Sequence, residues 1–511
     1  MGSNYTINYI KIYLWQSISM VLNFLSMFVV VPFLSSNPQL YGVYTICIST
    51  SIFLAYADLG FINAGQKYAA EYFSQNNRSE EIKVIGFSGF ILFLFLLLFI
   101  VGFALLSLKP DLLISGLDDV TSYKTASSLL LVLALSTPLT LLQRMLQMIC
   151  GIRLADYIVQ RTNTLASIIK ICAVFWFFRV EHYDIVGYFL FTQIITFLSL
   201  LTTMYIVKKQ FNYDFIAVFK SFKFNRNVFI KTKNLAFTSL FMTVSWILYY
   251  ELDSVAIGKI FGAKDVAIYA IGLTLLSFSR SIFGILFSPF NARFNYFIGK
   301  NDEEGLRTFY LQVTSLFAPL VILPILAVCM MTGPLVISWV GSAYEESIHI
   351  AQYLVLCNLL AFISYPTGIL LMATEQIKKM YLVNTLLPFV FWIGIGVSIH
   401  YLGLVSFAVF KLVAFLIAGV TYYYFMLKYL KISFSTSLKA IFKPMLIPVS
   451  FILVSSLSLL PYLQTMEKSK TNLLTVAAMI GGLIALAFIL QYATSKTIRN
   501  RAKQIIKQVR T

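Results

Sequence analysis

The sequence predicts an all-α polytopic membrane protein with about 14 transmembrane helices. Hydrophobic residues make up 59% of the 511 residues and charged residues only 12%, whereas about a quarter of the residues in soluble domains are charged. The chain contains fourteen apolar runs, each close to the roughly 20 residues that cross a hydrocarbon core. The intervening loops are short, and the longest is about 208–234. We therefore exclude a soluble enzyme.

The predicted helices alternate with these short loops along the whole chain. The N-terminal stretch Met1–Gln16 lacks the charged start and small-residue cleavage site of a signal peptide, so we expect the first helix to be retained. The fourteen helices are predicted at 10–34, 41–63, 84–108, 125–149, 161–179, 185–207, 235–257, 266–290, 307–331, 348–372, 380–401, 404–427, 444–462 and 472–493.

Lys and Arg residues concentrate in alternate loops. With the N-terminus inside, 29 of the 39 basic residues fall in inner segments and 7 in outer loops. Positively charged loops stay in the cytoplasm, so both termini are predicted to be cytoplasmic. The basic segments also attract anionic head groups, which makes membrane lipids expected partners. Topology thus accounts for the net charge of +18, and nucleic acid is not expected to bind.

An internal repeat with an offset of about 224 residues relates the two halves of the chain. The segment EYFSQNNRSEE (Glu71–Glu81) realigns with NYFIGKNDEE (Asn295–Glu304). Helices 1–6 and 7–12 are therefore predicted to form two six-helix lobes related by a parallel pseudo-two-fold repeat, with two C-terminal helices added. Two such lobes would enclose a cavity, as in an alternating-access transporter. The predicted regions are an N-lobe at 1–207, a basic cytoplasmic linker at 208–234, a C-lobe at 235–430, helices 13 and 14 within 431–493, and a basic cytoplasmic tail at 494–511.

The sequence lacks the motifs of soluble catalytic chemistry. The three His residues are far apart, no Walker loop is present, and the five Cys residues have neither metal nor redox spacing. We expect no catalytic residues, no metal site and no cofactor. A transporter is predicted rather than an enzyme, with its energy taken from a gradient or from the substrate.

Three cationic residues lie inside predicted helices: Lys170, Arg280 and Lys411. A charge at the membrane midplane costs at least about 2.5–3.5 kcal/mol, so it faces water, a partner or a ligand. One interpretation pairs these cations structurally with the carboxylates of Asp58, Glu251 and Asp253. The alternative places them on the cavity wall, where a substrate phosphate would bind them. Arg280 is then the leading substrate-binding residue, because a guanidinium binds phosphate bidentately.

Three stretches of the sequence resemble the polysaccharide flippases (Wzx-type O-antigen and capsule transporters) of the multidrug/oligosaccharidyl-lipid/polysaccharide exporter superfamily. They are LYGVYTICISTSIFLAYADLGFINAGQKYAAEYF (Leu40–Phe73), ELDSVAIGKIFGAKDVAIY (Glu251–Tyr269) and the turn MATEQIKKMYLVN after helix 10. The resemblance spans roughly residues 8–430. It implies a MATE-like fold and a bacterial inner-membrane protein that moves an undecaprenyl-diphosphate-linked oligosaccharide to the periplasmic face. It also implies proton or sodium coupling, with Asp58, Glu251 and Asp253 as candidates.

Two other functions stay open at this point. A multidrug or cation antiporter of the same superfamily would favour an acidic cavity, whereas the three midplane charges are basic. A membrane glycosyltransferase or polymerase would use Glu251 and Asp253 as an acidic motif, but such enzymes usually carry a large periplasmic loop, which this sequence lacks.

Overall fold

A computed structural model describes residues 2–117, 119–179, 182–287, 290–374, 376–463, 466–495 and 499. Residues 496–498 and 500–511 of the predicted basic tail lie outside this part of the chain. The chain divides into two compact units, Met1–Ala267 and Ile268–Thr511. The division into lobes at 1–207 and 235–430 stays a prediction.

The described residues of the first unit form helices and a hairpin whose two strands have two residues each. Its strands β1 (Phe178–Arg179) and β2 (His182–Tyr183) pair antiparallel. A 3₁₀ turn follows α2 at Phe53–Tyr56, another lies at Pro110–Leu112, and a π-helical turn at Ile247–Glu251 joins α9 to α10. The helices are α1 (Gly2–Leu34), α2 (Pro38–Ile52), α3 (Phe61–Ser74), α4 (Arg78–Leu108), α5 (Val120–Ile152), α6 (Asp156–Phe177), α7 (Ile185–Phe211), α8 (Phe215–Lys220), α9 (Arg226–Trp246) and α10 (Leu252–Ile260).

The second unit is helical in its described residues. It contains 3₁₀ turns at Ser342–Tyr344 and Lys443–Met445. Its helices begin with α11 (Ala263–Phe287), which contains the boundary between the units, and continue with α12 (Phe290–Gly299), α13 (Glu303–Met330), α14 (Thr332–Val340), α15 (Ser347–Leu356), α16 (Ala361–Ala373), α17 (Ile377–Leu402), α18 (Val405–Tyr429), α19 (Phe434–Phe442), α20 (Leu446–Leu463) and α21 (Lys470–Thr494).

The described residues include eleven helices that are long and apolar enough to cross a membrane, or twelve if the bent pair α15–α16 forms one span. Two predicted runs do not meet this description, although both are largely helical. The run 161–179 corresponds to α6, whose Arg161, Asn163 and Lys170 dilute its apolar content. The run 41–63 is interrupted between α2 and α3. The all-α polytopic fold is confirmed.

The interruption between α2 and α3 has a local cause. Leu59 and Gly60 both have positive φ, at 49° and 81°, a conformation that ends a helix and suits glycine. The Asp58 carboxylate then accepts a hydrogen bond from the Ile62 amide at 2.8 Å, which caps the start of α3. A Cβ on Gly60 would lie 2.4 Å from the Ala236 carbonyl oxygen of α9. Gly60 therefore allows both the turn and the close packing of α9.

Three helix boundaries around the repeated motif, and one residue of positive φ, recur 225 residues later in the second half of the chain. In both halves a residue of positive φ ends one helix and a side chain caps the next. Asn77 caps α4 through the Glu80 amide, and Asp302 caps α13 through the Gly305 amide. Helices begin at Pro38 and Ala263, and helices end at Ser74 and Gly299. The residues of positive φ are Asn76 and Asn301, and the next helices begin at Arg78 and Glu303. The aligned motifs thus adopt the same local structure.

A buried ion pair joins the start of α4 to the end of α5. Arg153 Nη2 lies 2.7 Å from Glu81 Oε1, and the two side chains are only 6% and 1% exposed. The Arg153 guanidinium also lies 4.7 Å from the Phe73 ring and 4.9 Å from the Tyr213 ring. Burial raises the pKa of Tyr213, so its hydroxyl stays protonated and donates to Glu81 at 3.5 Å. These contacts fix the end of α5, the helix that carries most of the polar cavity described below.

Candidate functional site

A polar cavity of about 300 Å³ lies among α2, α5 and α7 in the first unit. Hydroxyl, amide and guanidinium groups line it within a part of the chain that is otherwise apolar. Its polar lining residues are Ser51, Ser136, Thr140, Gln143, Arg144, Gln147, Gln193 and Thr196. Leu133, Leu139 and Phe189 contribute to its apolar wall. Mostly apolar pockets with a few placed polar groups are usual for small ligands, and this cavity is more polar than that.

The helical period of α5 accounts for the polar wall. Positions 136, 140, 144 and 147 follow one another at intervals of three or four residues, and position 143 lies three residues after 140 and four before 147. Their side chains therefore lie on one face of the helix. In a membrane span such a polar stripe must face protein or water rather than lipid. Here it faces α2 and α7, which both pack against α5.

Arg144 is the cationic residue of this cavity. Arg144 is counted among the inner basic residues and falls near the end of the predicted helix 125–149. The structure places it within α5 (Val120–Ile152), half-buried and lining the cavity. It interacts electrostatically with the buried carboxylate of Asp58. The sequence signal that identifies this site is the polar stripe around Arg144 in an apolar helix.

Lys170 of α6 contacts a residue that lines the same cavity. Its ammonium donates a hydrogen bond to the Thr196 hydroxyl at 2.8 Å, and Thr196 lines the cavity. The Thr196 hydroxyl in turn donates to the Thr192 carbonyl at 2.8 Å. Thr196 thus links a predicted substrate-binding residue to the polar cavity, and a second cationic group stands behind its wall.

Arg280 and Lys411 belong to the second unit. Arg280 is half-buried in α11, and the Tyr365 hydroxyl of α16 donates to its carbonyl oxygen at 3.4 Å. Lys411 in α18 is 0% exposed, and its ammonium lies 5.5 Å from the centre of the Phe391 ring in α17. Phe391 also contacts Phe407 in an edge-to-face pair. Lys411 is therefore packed beside aromatic rings in this conformation.

The three predicted acidic residues make local contacts. Asp58 caps α3, as described above. Asp253 is buried, and its carboxylate accepts a hydrogen bond from the Ser254 amide at 2.8 Å. Glu251 accepts a hydrogen bond from the Trp246 indole at 3.2 Å across the π-helical turn, and Trp246 stacks on Tyr250 with ring centres 4.5 Å apart. Asp58 also interacts with the cavity cation Arg144.

No family model matches the sequence, and no curated protein matches it. Solved structures do match. A lipid II flippase MurJ in the inward closed conformation aligns with a TM-score of 0.66 over 96% of this chain and 99% of its own, at 14% identity. The chain therefore has the same fold as this membrane transporter. An inward-facing multidrug resistance MATE family transporter of the MOP superfamily aligns with a TM-score of 0.65 over 81% of this chain and 94% of its own, at 14% identity.

A MATE structure in the bent conformation aligns similarly, with a TM-score of 0.56 over 83% of this chain and 95% of its own, at 16% identity. The flippase match extends over nearly the whole chain, whereas both MATE matches leave a sixth or more of it uncovered. At these identities the comparisons establish the MOP-type fold, and the ligand has to be inferred from the residues themselves.

Proposed function

We propose that the protein is an alternating-access flippase that carries undecaprenyl-diphosphate-linked oligosaccharide across a bacterial inner membrane, with both chain ends in the cytoplasm. The observation that carries this proposal is Arg144 within a cavity of amide and hydroxyl groups. A guanidinium binds phosphate oxygens bidentately. Gln side chains both donate and accept hydrogen bonds, as sugar hydroxyls do. The cavity therefore suits a ligand that combines phosphate with sugar.

Each midplane cation has a proposed role in this transport. Lys170 adds positive potential behind Thr196 and helps the cavity attract the diphosphate. Arg280 and Lys411, which belong to the second unit, are also proposed to bind the substrate anion. Lys411 is buried in the conformation described here, so its role requires a conformation in which α17 and α18 separate around it.

We further propose Asp58, Glu251 and Asp253 as candidates for proton or sodium coupling. Asp58 is favoured among them because it interacts with Arg144. Neutralising its carboxylate would leave the Arg144 charge less compensated and strengthen anion binding in the cavity. Coupling at Asp58 would thus act on substrate affinity directly.

A multidrug antiporter is the second candidate, and the MATE-like fold is compatible with it. The charge of the cavity supports the flippase over the antiporter, because Arg144 and Lys170 would repel a cationic drug and attract a diphosphate. A polymerase or glycosyltransferase is disfavoured, since its acidic motif would use Glu251 and Asp253, which are engaged in local hydrogen bonds.

Deleting the gene in its host tests the proposal. We expect undecaprenyl-linked repeat units to accumulate on the cytoplasmic face of the membrane. The native gene should restore export, and a gene encoding Arg144→Gln should not, although the variant still inserts. Accumulation of single units on the periplasmic face would instead indicate a polymerase. Unchanged lipid-linked sugars together with lost efflux of cationic drugs would indicate a drug antiporter.

A further inference from the structure

The segment 212–225, which we name the α8 segment, exposes large apolar side chains between two membrane spans. Phe219 is 80% exposed and Ile216 is 70% exposed. Phe224, at the end of the segment, is also exposed. Clustered apolar side chains of this size on a surface usually mark a binding face for another apolar body.

The α8 segment is held firmly on α4, so this exposure belongs to the folded structure. Asp214 caps α8 by accepting a hydrogen bond from the Ala217 amide at 2.9 Å. On the opposite face of α8, Val218 is buried. A Cβ on Gly86 of α4 would lie 2.6 Å from the Ser221 carbonyl oxygen, so the glycine permits this close contact.

The exposed apolar face continues the outer surface of α4. The Phe219 ring is nearly parallel to the Phe222 ring, with centres 6.5 Å apart. Phe222 makes edge contacts with Phe90 and Phe93 of α4. Phe93 belongs to the exposed apolar face of α4, a candidate membrane span, together with Leu94, Leu97 and Leu98. The exposed apolar surface of α4 therefore continues through Phe222 to Phe219.

Basic side chains flank this apolar face. Lys220 and Lys223 are exposed, as is the acidic Asp214 at the start of α8. Lys208 and Lys209 at the end of α7 and Arg226 at the start of α9 are exposed nearby in the sequence. The net charge of these exposed side chains is strongly positive. Basic residues near a membrane surface attract anionic head groups.

The second unit contains a helix of the same design. In α19, Ser437 and Ile441 are buried, whereas Phe434 and Phe442 are exposed. Lys439, on the same helix, is exposed as well. Aromatic and basic side chains thus share the surface of a short helix in each unit, as in helices that lie in a membrane interface.

We propose that the α8 segment is an interfacial anchor for anionic phospholipid. Ile216 and Phe219 insert at the boundary between head groups and acyl chains, and Lys220 and Lys223 bind the lipid phosphates. The charge asymmetry of the chain assigns this leaflet to the cytoplasmic side. The proposal is independent of the transported substrate, because none of these side chains lines the polar cavity.

Fluorescence quenching by brominated lipids tests the anchor in the full-length protein. Phe219→Trp places a reporter at the exposed ring, and the signal of the native protein is subtracted. In vesicles of phosphatidylcholine, brominated phosphatidylcholine should quench this Trp. Brominated phosphatidylglycerol should quench it at a lower mole fraction. Adding Lys220→Gln and Lys223→Gln should weaken that preference by about fivefold per lysine, the equivalent of about 1 kcal/mol per charge.

The matched control is Lys109→Gln with Lys124→Gln in the Phe219→Trp background. These exposed lysines lie at the other end of α4 and early in α5, so the net charge changes equally and the preference should stay. A Trp at 219 that neither lipid quenches would overturn the anchor and indicate water or a protein partner at this face. Equal quenching by both lipids would overturn the anionic-lipid site.

Discussion

The Lys170 ammonium donates a 2.8 Å hydrogen bond to the Thr196 hydroxyl, which lines the polar cavity. The bond joins α6 to α7 and holds a cation behind a cavity that already contains Arg144. Two cationic groups therefore lie at one polar site within the first unit, together with the Asp58 carboxylate that interacts with Arg144. We propose that this arrangement favours an anionic ligand over a cationic one.

We expect Arg144→Gln to reduce transport by about tenfold to about a hundredfold, because a charge-assisted hydrogen bond contributes about 1.5–3 kcal/mol. The glutamine keeps a polar side chain in the cavity while removing the charge. Initial transport rates in membranes with matched protein amounts give the measurement. Arg161→Gln is the control, since Arg161 is half-buried in α6 but does not line the cavity. Equal rates in the two variants would remove Arg144 from the mechanism.

The bond between Lys170 and Thr196 is tested by a double-mutant cycle. Thr196→Val keeps the shape of the side chain and removes the hydroxyl, and Lys170→Met removes the charge. If the two residues act through their hydrogen bond, the double variant should lose less transport than the product of the single losses. Strictly multiplicative losses would show that the two side chains act separately.

Arg280→Ala should abolish transport while membrane insertion stays intact. Arg280→Lys should keep part of the activity, because it preserves the charge but not the bidentate geometry. Transport is compared with the amount of inserted protein, measured by protease protection. Full activity of Arg280→Ala would exclude this residue from substrate binding.

The buried ion pair between Arg153 and Glu81 should stabilise the first unit strongly. Glu81→Gln leaves the Arg153 charge buried without its counterion, a loss of about 3–5 kcal/mol. The adjacent pair, Glu80 and Lys83, has the same type of contact at 2.6 Å but is exposed. Glu80→Gln should therefore cost less than about 1 kcal/mol.

The temperature at which half of the detergent-solubilised protein stays monodisperse compares these two variants. A large decrease for Glu81→Gln and a small one for Glu80→Gln is expected. Equal decreases would show that burial does not determine the contribution of the pair.

Gly60→Ala should destabilise the turn between α2 and α3. At a φ of 81° an alanine costs about 1–2 kcal/mol from its backbone alone, and its Cβ would also meet the Ala236 carbonyl oxygen. Gly102→Ala in α4 is the control, because its Cβ would meet no atom within 4 Å. The temperature at which half of the detergent-solubilised protein stays monodisperse should decrease only for Gly60→Ala. A decrease for Gly102→Ala alone would contradict this explanation.

Sequence patterns predicted the helical fold well because apolar length alone identifies a membrane span. They predict 41–63 as one helix, since the run is largely apolar. The amino-acid composition does not reveal that Leu59 adopts a positive φ. The predicted helix at 125–149 contains Arg144, but a charge count that groups it with the inner basic residues cannot tell a helix end from a cavity wall. The burial of Lys411 depends on packing between α17 and α18, which no local pattern encodes.

Transport by the purified protein in liposomes tests the proposed ligand most directly. An undecaprenyl-diphosphate-linked oligosaccharide is placed in the liposomes, and a glycosidase outside reports how fast the inner pool becomes accessible. We expect the native protein to accelerate this exchange and Arg144→Gln to abolish most of the acceleration. Unchanged exchange of the lipid-linked sugar, together with protein-dependent efflux of a cationic dye, would contradict the proposed flippase.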